Sequence, residues 1–341
     1  MASNTTHLTE LGTAVGLAFD PDRGWPAGLL ECDVPGLDAL VWRPVLEPVA
    51  LGPHGASRDL LLRALHNGRA FRTSVLGGRP PRSVRWDGGS KAVWNSDVPR
   101  DITVDGVYFL QAKYDSTCVL NTAPGSLVDE LLANPDAPTR PSWYEEVAPR
   151  ELMAYYREVR LRPNLPTLPN ELHRLNTEDR RVLKNVMRAN DAGVAGPEAE
   201  AYATLCQAVS IETAVRWRHR LERASRSQHT QMLFRMLRIS GGPYWLLGTK
   251  GKEPVRLAVA DTRTWRDLFE LRQFTVRAGQ RGQPVVDWRA EVADRLNPGL
   301  IRTIDGYCEL RWSHGKLQGN PECKVQVRTP LGDLPGYTPM A

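Results

Sequence analysis

"DITVDGVYFLQAKYDS", residues 101–116, decides how this chain is read. Val107 to Leu110 are apolar and run straight into Gln111, Ala112 and Lys113. Such a run reads as a strand with a buried face. Side chains two apart along a strand share a face, so Gln111 and Lys113 point the same way as Phe109. An amide and an ammonium on one side of a core strand need a partner. Asp105-Gly106 is a hairpin turn signal, which makes the preceding segment that partner. A two-residue turn sets Arg100 opposite Gln111, whereas a three-residue loop over 105–107 sets Asp101 there. A wider connection through Pro99 leaves Asp97 at the start of the first strand. Register depends on turn geometry as well as on pattern, and all three arrangements stay open.

An acidic residue, a hairpin and Gln-x-Lys on the following strand suit metal-dependent phosphodiester chemistry. Carboxylate and amide oxygens are donors for Mg²⁺, a hard cation. The cation neutralises charge that develops at phosphorus, and the lysine positions or deprotonates water or stabilises the phosphate. Asp97 or Asp101 followed by "VYFLQAKY" resembles the PD-(D/E)xK restriction-endonuclease-like nucleases, in the Mrr-type branch whose strand reads Gln-x-Lys. The resemblance spans residues 59–131. It implies a restriction-endonuclease-like α/β core, with "CVLN" as the next strand and "SLVDELLA" as the next helix. It also implies an acidic ligand at Asp97 or Asp101, an amide ligand at Gln111, a catalytic Lys113, and Mg²⁺ or Mn²⁺ as cofactor. The activity implied is DNA cleavage, commonly in defence against foreign DNA.

The rest of the chain sets the frame. Its 341 residues leave room for two or three domains. Apolar content of 41% and charged content of 24% are ordinary for a globular protein. No apolar run is long enough for a membrane span, and the first residues lack a secretory pattern. Five cysteines without paired spacing fit free thiols in a reducing cytoplasm. Neither HExxH nor CxxC is present, so zinc is not expected. The net charge of +5 suits a polyanionic partner, double-stranded DNA, although 37 of the 44 basic residues being Arg also suits a GC-rich genome. A homodimer or a partner subunit is compatible with all of this.

Three zones follow from composition. Residues 1–125 read as a mixed α/β domain carrying the Gln-x-Lys strand, with an early helix over Asp59 to His66. Residues 126–240 read as helical: Ser126 caps "LVDELLA", Leu172, Leu175, Val182, Leu183 and Val186 form a stripe, and a long helix runs from Glu198 to Ile239 with a break near Ser210. Residues 241–341 read as an α+β module. It holds a hairpin turning at "KGKE", a helix over "TRTWRDLFEL", and strands at "QFTVRA" and "PVVDW".

Two other clusters compete for the function. In "DGYCELRWSHGKLQGNPECKVQVR", residues 305–328, facing Trp312 with Pro321 sets Arg311 opposite Glu322, Glu309 opposite Lys324 and Asp305 opposite Arg328. Cross-strand pairing alone favours that register. Glu309, Glu322 and Lys324 also spell an acid plus Glu-x-Lys, an alternative catalytic set, with His314 and Lys316 beside a phosphate. Arg311, Trp312, His314 and Lys316 would equally serve a target-recognition module. In "AVRWRHRLERASRSQH", residues 214–229, Arg216, Arg220 and Arg223 share a helical face that would follow a phosphate backbone. A solvated helix face is the plain reading of that stripe. The function expected is a DNA endonuclease. The alternative is a non-catalytic nucleic-acid-binding or interaction subunit of a multi-component system.

Overall fold

A computed structural model describes residues 4–88, 98–116, 118–130, 142–163, 165, 168–189, 196–280, 282–312, 315–317 and 319–340. It is a mixed α/β structure, as expected, and divides into two compact units. The first comprises residues 1–116, 238–268 and 330–341; the second comprises 117–237 and 269–329. The expected zones meet these units unevenly. Changes of unit at 116/117 and 237/238 lie close to the expected boundaries at 125 and 240, whereas residues 241–341 divide between both units.

The chain opens with α1 (Asn4–Gly16), α2 (Ala27–Glu31), α3 (Ala39–Leu51) and α4 (Ala56–Ser74), then β1 (Val84–Trp86), β2 (Ile102–Val104) and β3 (Tyr108–Tyr114). In the second unit it forms β4 (Cys118–Thr122), a π-helical turn (Ser126–Glu130), α5 (Trp143–Val147), α6 (Pro149–Arg160), α7 (Thr177–Ala189), α8 (Pro197–Arg223) and α9 (Arg226–Met236). It returns as β5 (Tyr244–Lys250), β6 (Glu253–Val259) and α10 (Thr262–Leu268). The second unit then gains β7 (Phe269–Gly279), β8 (Val285–Asp294), β9 (Ile301–Arg311) and β10 (Glu322–Val327), and β11 (Tyr337–Pro339) rejoins the first.

In the first unit, the sheet order is β1-β2-β3-β5-β6-β11, antiparallel except where β3 and β5 run parallel. Leu8, Leu11, Ala14 and Val15 of α1 pack with Leu61, Leu65 and Phe71 of α4 against Ile102, Leu110 and Leu247 of the sheet. The two helices touch through glycine: a Cβ at Gly16 would lie 2.1 Å from the Leu65 carbonyl, and one at Gly68 would lie 2.1 Å from that of Thr13. The α3 helix starts on an Asp38 side chain that accepts the Leu40 N–H. It buries Trp42, Leu46 and Ala50, one per turn, despite Pro44 and Pro48 within it. The β5–β6 hairpin turns at Gly251-Lys252, where "KGKE" was expected to turn, and Gly251 has φ +63°.

The second unit is built on an antiparallel sheet ordered β4-β10-β9-β8-β7. Leu205, Val209, Trp217 and Leu221 of α8 are buried, with Trp217 6.0 Å from Phe274 of β7. Residues 126–240 are helical as read, with two corrections. Ser126 lies within a helical turn and does not cap one. The long helix breaks at Ala224-Ser225 and not near Ser210. Ser225 starts α9 with a capping box shared with Gln228. Ser210 stays helical because its hydroxyl donates to the Cys206 carbonyl at 2.8 Å and accepts the Val285 N–H at 2.9 Å. "CVLN" also forms a strand, but β4 pairs with β10 in the second sheet. The strand beside β3 is β5, more than a hundred residues further along.

Candidate functional site

The β2–β3 ladder pairs Ile102 with Leu110, Thr103 with Phe109 and Val104 with Tyr108. Residues 105–107 form the loop, with Asp105 and Gly106 both at positive φ. This is the three-residue connection, and it carries Asp101 opposite Gln111. Asp101 is fixed twice: its N–H donates to the Leu110 carbonyl at 2.7 Å, and its Oδ2 accepts the Ala112 N–H at 2.8 Å. The carboxylate therefore sits against the backbone between Gln111 and Lys113. Arg100, the partner in the two-residue register, instead stacks over Phe109 and reaches Asp87 at 3.8 Å. Asp97 lies outside the described residues.

A carboxylate absent from the sequence reading joins this group. Glu10, on α1, is buried, and its Oε2 accepts the Trp86 indole N–H at 2.8 Å. Gly88 links it to Asp101. The Gly88 N–H donates to the Asp101 carbonyl at 3.2 Å, and a Cβ on Gly88 would lie 2.0 Å from Glu10 Oε2. A side chain at this position would have to displace the Glu10 carboxylate and the Trp86 indole. Burial, and then the negative charge of Asp101, push the Glu10 carboxyl up to about 7, against the Trp86 hydrogen bond. Burial likewise raises Asp101, opposed by the Ala112 amide and by the charges of Lys113 and Arg238. Lys113 lies opposite Gly248 of β5, where a Cβ would fall 1.5 Å from the Lys113 carbonyl oxygen.

Glu10 and Asp101 are neighbouring carboxylates, the charge of Asp101 raising Glu10, and the charge of Lys113 acts on Asp101. Among the described residues no set of three or more His, Cys, Asp or Glu side chains is disposed to hold a metal ion. Asp101 and the Gln111 side-chain carbonyl, opposite one another across β2–β3, are oxygen donors of the kind that suits Mg²⁺ or Mn²⁺ and not zinc.

The competing clusters come out differently. The β9–β10 register is the expected one: Glu322 faces Arg311 and Lys324 faces Glu309, while the Arg328 N–H donates to the Asp305 carbonyl. Glu309, Glu322 and Lys324 do share a face, but Glu322 accepts from Asn121 at 2.9 Å and Glu309 lies 3.8 Å from Arg311. Glu309 thus pairs along its own strand, and Glu322 takes a neutral amide donor from β4. Lys316 sits 4.2 Å over the Tyr202 ring, and Trp312 packs on Tyr144 with ring centroids 4.5 Å apart. His314 lies outside the described residues.

Arg216, Arg220 and Arg223 do line one side of α8, together with His219 around a cavity of about 370 Å³. Two of them, each about a third exposed, are engaged by acidic residues. Arg216 grips the fully buried Asp129 through Nε (3.0 Å) and Nη2 and reaches Glu146 at 3.3 Å, and Arg220 holds Asp129 at 3.3 Å. Arg216 also stacks 5.0 Å over Trp143. Comparison of the chain with protein-family models, with curated proteins and with solved structures finds no match.

Proposed function

We propose that the first unit is a metal-dependent phosphodiesterase acting on double-stranded DNA. The observation that carries this reading is the β2–β3 register, which sets Asp101 across from Gln111 and ties its carboxylate to the amide before Lys113. Asp101 and Gln111 would contribute to holding a divalent cation, which would supply charge neutralisation at the scissile phosphate. The chain's own groups do the rest. Asp101 is held in one orientation by two backbone bonds. Lys113 presents a positive charge beside it, where negative charge grows on the phosphate oxygens. Desolvation around Asp101 strengthens the interaction between these charges.

The test is incubation of the full chain with supercoiled plasmid, with and without Mg²⁺ or Mn²⁺. Cleavage should require the cation and be lost in Lys113→Ala, and it should survive in Glu309→Gln. Cleavage by Lys113→Ala at the native rate overturns the assignment. Loss in Glu309→Gln alone moves the site to the β9–β10 hairpin. Metal-independent DNA binding without cleavage favours the non-catalytic subunit.

A further inference from the structure

On the face of the sheet that carries Gln111 and Lys113, two arginines gather around one buried carboxylate. Val84, Ile102, Val104 and Leu110 belong to the opposite face, which packs on the helices. Alternation therefore puts Arg85, Thr103 and Phe109 on the Gln111 face, where they form one row across β1, β2 and β3. Asp87, two residues after Arg85, is 6% exposed. Its Oδ1 accepts the Arg85 Nε–H at 2.7 Å, and its Oδ2 accepts the Thr103 hydroxyl. Arg100 lies over the Phe109 ring, 5.3 Å from the centroid, with its Nε 3.8 Å from Asp87 Oδ2.

Both oxygens of Asp87 are thus taken, and the group is buried. It serves as an anchor for guanidinium groups and not as a donor to a cation. One carboxylate balances only one of the two arginines, so a positive charge is left over. Donors are left over as well. A guanidinium has five N–H groups. Arg85 directs only Nε to Asp87 and Nη2, at 3.4 Å, to Thr103, and its side chain is 62% exposed. The buried Arg100 Nε has no hydrogen-bond partner among the described residues. Planar forks of this kind, held from behind, match the paired oxygens of a phosphodiester.

We propose that Arg85 and Arg100, anchored on Asp87, contact backbone phosphates of duplex DNA. This deepens the phosphodiesterase reading and rests on it for the substrate. β1 lies two strand spacings, about 10 Å, from β3. The contacts therefore fall on phosphates beside the scissile one, and they position the duplex across Gln111 and Lys113. Asp87 is a positioning residue: it acts through the two arginines.

The probe is a short fluorescein-labelled DNA duplex, titrated into the full chain in EDTA at several salt concentrations and read by anisotropy. Arg85→Gln and Arg100→Gln should each flatten the log–log salt slope by about 0.9, and the double variant by about 1.8. Arg85→Lys, which keeps the charge, should keep the native slope. Asp87→Asn removes a negative charge, and long-range attraction alone would then tighten binding. Loss of the anchor should weaken it instead. Arg69→Gln, an arginine of α4 paired with Asp20 and Asp22, should bind with the native slope. The exposure of Arg85 lets Arg85→Gln carry the test if a variant at Asp87 or Arg100 does not fold. An unchanged slope in Arg85→Gln, or tighter binding by Asp87→Asn, overturns the proposal. Equal flattening in Arg69→Gln also overturns it, since overall charge then explains the effect, and so does a native chain that does not bind the duplex. A native chain that binds with the expected slopes yet never cleaves with Mg²⁺ or Mn²⁺ supports these contacts and overturns the phosphodiesterase reading.

Discussion

Glu10 shows at the residue scale why a buried carboxylate beside Asp101 stayed hidden. Gln111 and Lys113 were legible because strand alternation isolates two polar side chains on a face that should be apolar. Asp101 was legible as one of two acids within reach of a hairpin. Glu10 had no such contrast, because Thr9, Glu10 and Thr13 are all buried on α1 and blur the apolar stripe that would have announced the helix. A carboxylate within "HLTELGTAVG" was the available signal. Its environment makes a pH prediction. A carboxyl raised from 4.5 to about 7 holds its proton longer in the folded chain than in the unfolded one. Stability from this group is full below about 4.5 and is lost as pH rises through about 7, because the unfolded state binds fewer protons there. Glu10→Gln, which still accepts from Trp86, should flatten the stability curve between pH 5 and 7. At pH 8 it should be more stable than the native chain by roughly 3 kcal/mol. Urea unfolding across that range checks this, and parallel curves for the two proteins would reject it.

Elements were readable where a turn and a pattern agree. The register of β9–β10 followed from opposite charges flanking a glycine-containing loop, and the β5–β6 hairpin from "KGKE" between two apolar runs. "CVLN" showed the limit: its strand character is local, but the sheet it joins depends on residues two hundred positions away. The same limit applied to α8, where one stripe of arginines suits solvent, phosphate or a buried acid equally well. Asp129, fully buried in the turn at Ser126–Glu130, decides for the buried acid. Losing charge-assisted hydrogen bonds to a buried carboxylate costs about 2 kcal/mol. Arg216→Gln, which leaves Asp129 with Arg220, should therefore destabilise the chain by about 2 kcal/mol. Arg223→Gln, on the exposed end of the stripe, should stay within about 0.5 kcal/mol. Thermal unfolding of both variants measures the contrast, and a neutral Arg216→Gln would return that arginine to the candidates for phosphate contact.

At the scale of the whole molecule, the first unit is assembled from three separated pieces, and composition cannot show that. Turns and stripes report neighbours within a few residues, whereas the parallel pairing of β3 with β5 joins residues 110–114 to 245–249 across the first piece of the second unit, residues 117–237. Gly248 is the tightest point of that pairing, since a Cβ there would fall 1.5 Å from the Lys113 carbonyl oxygen. The contact is with backbone, so no rotamer change relieves it, and the strands must separate. Gly248→Ala should cost about 3 kcal/mol, at the upper end of overpacking in a close-packed core. If the three pieces share one core, the loss cannot stay local. Hydrogen exchange should quicken together in α4, in β5–β6 and in β11, because β11 pairs with β6 and α4 packs on the same sheet. Sequence distance should not matter: Phe71 and Tyr337 should lose protection by the same factor. If β11 keeps native exchange while β5 loosens, the C-terminal piece is an independent appendage and the unit ends at β6.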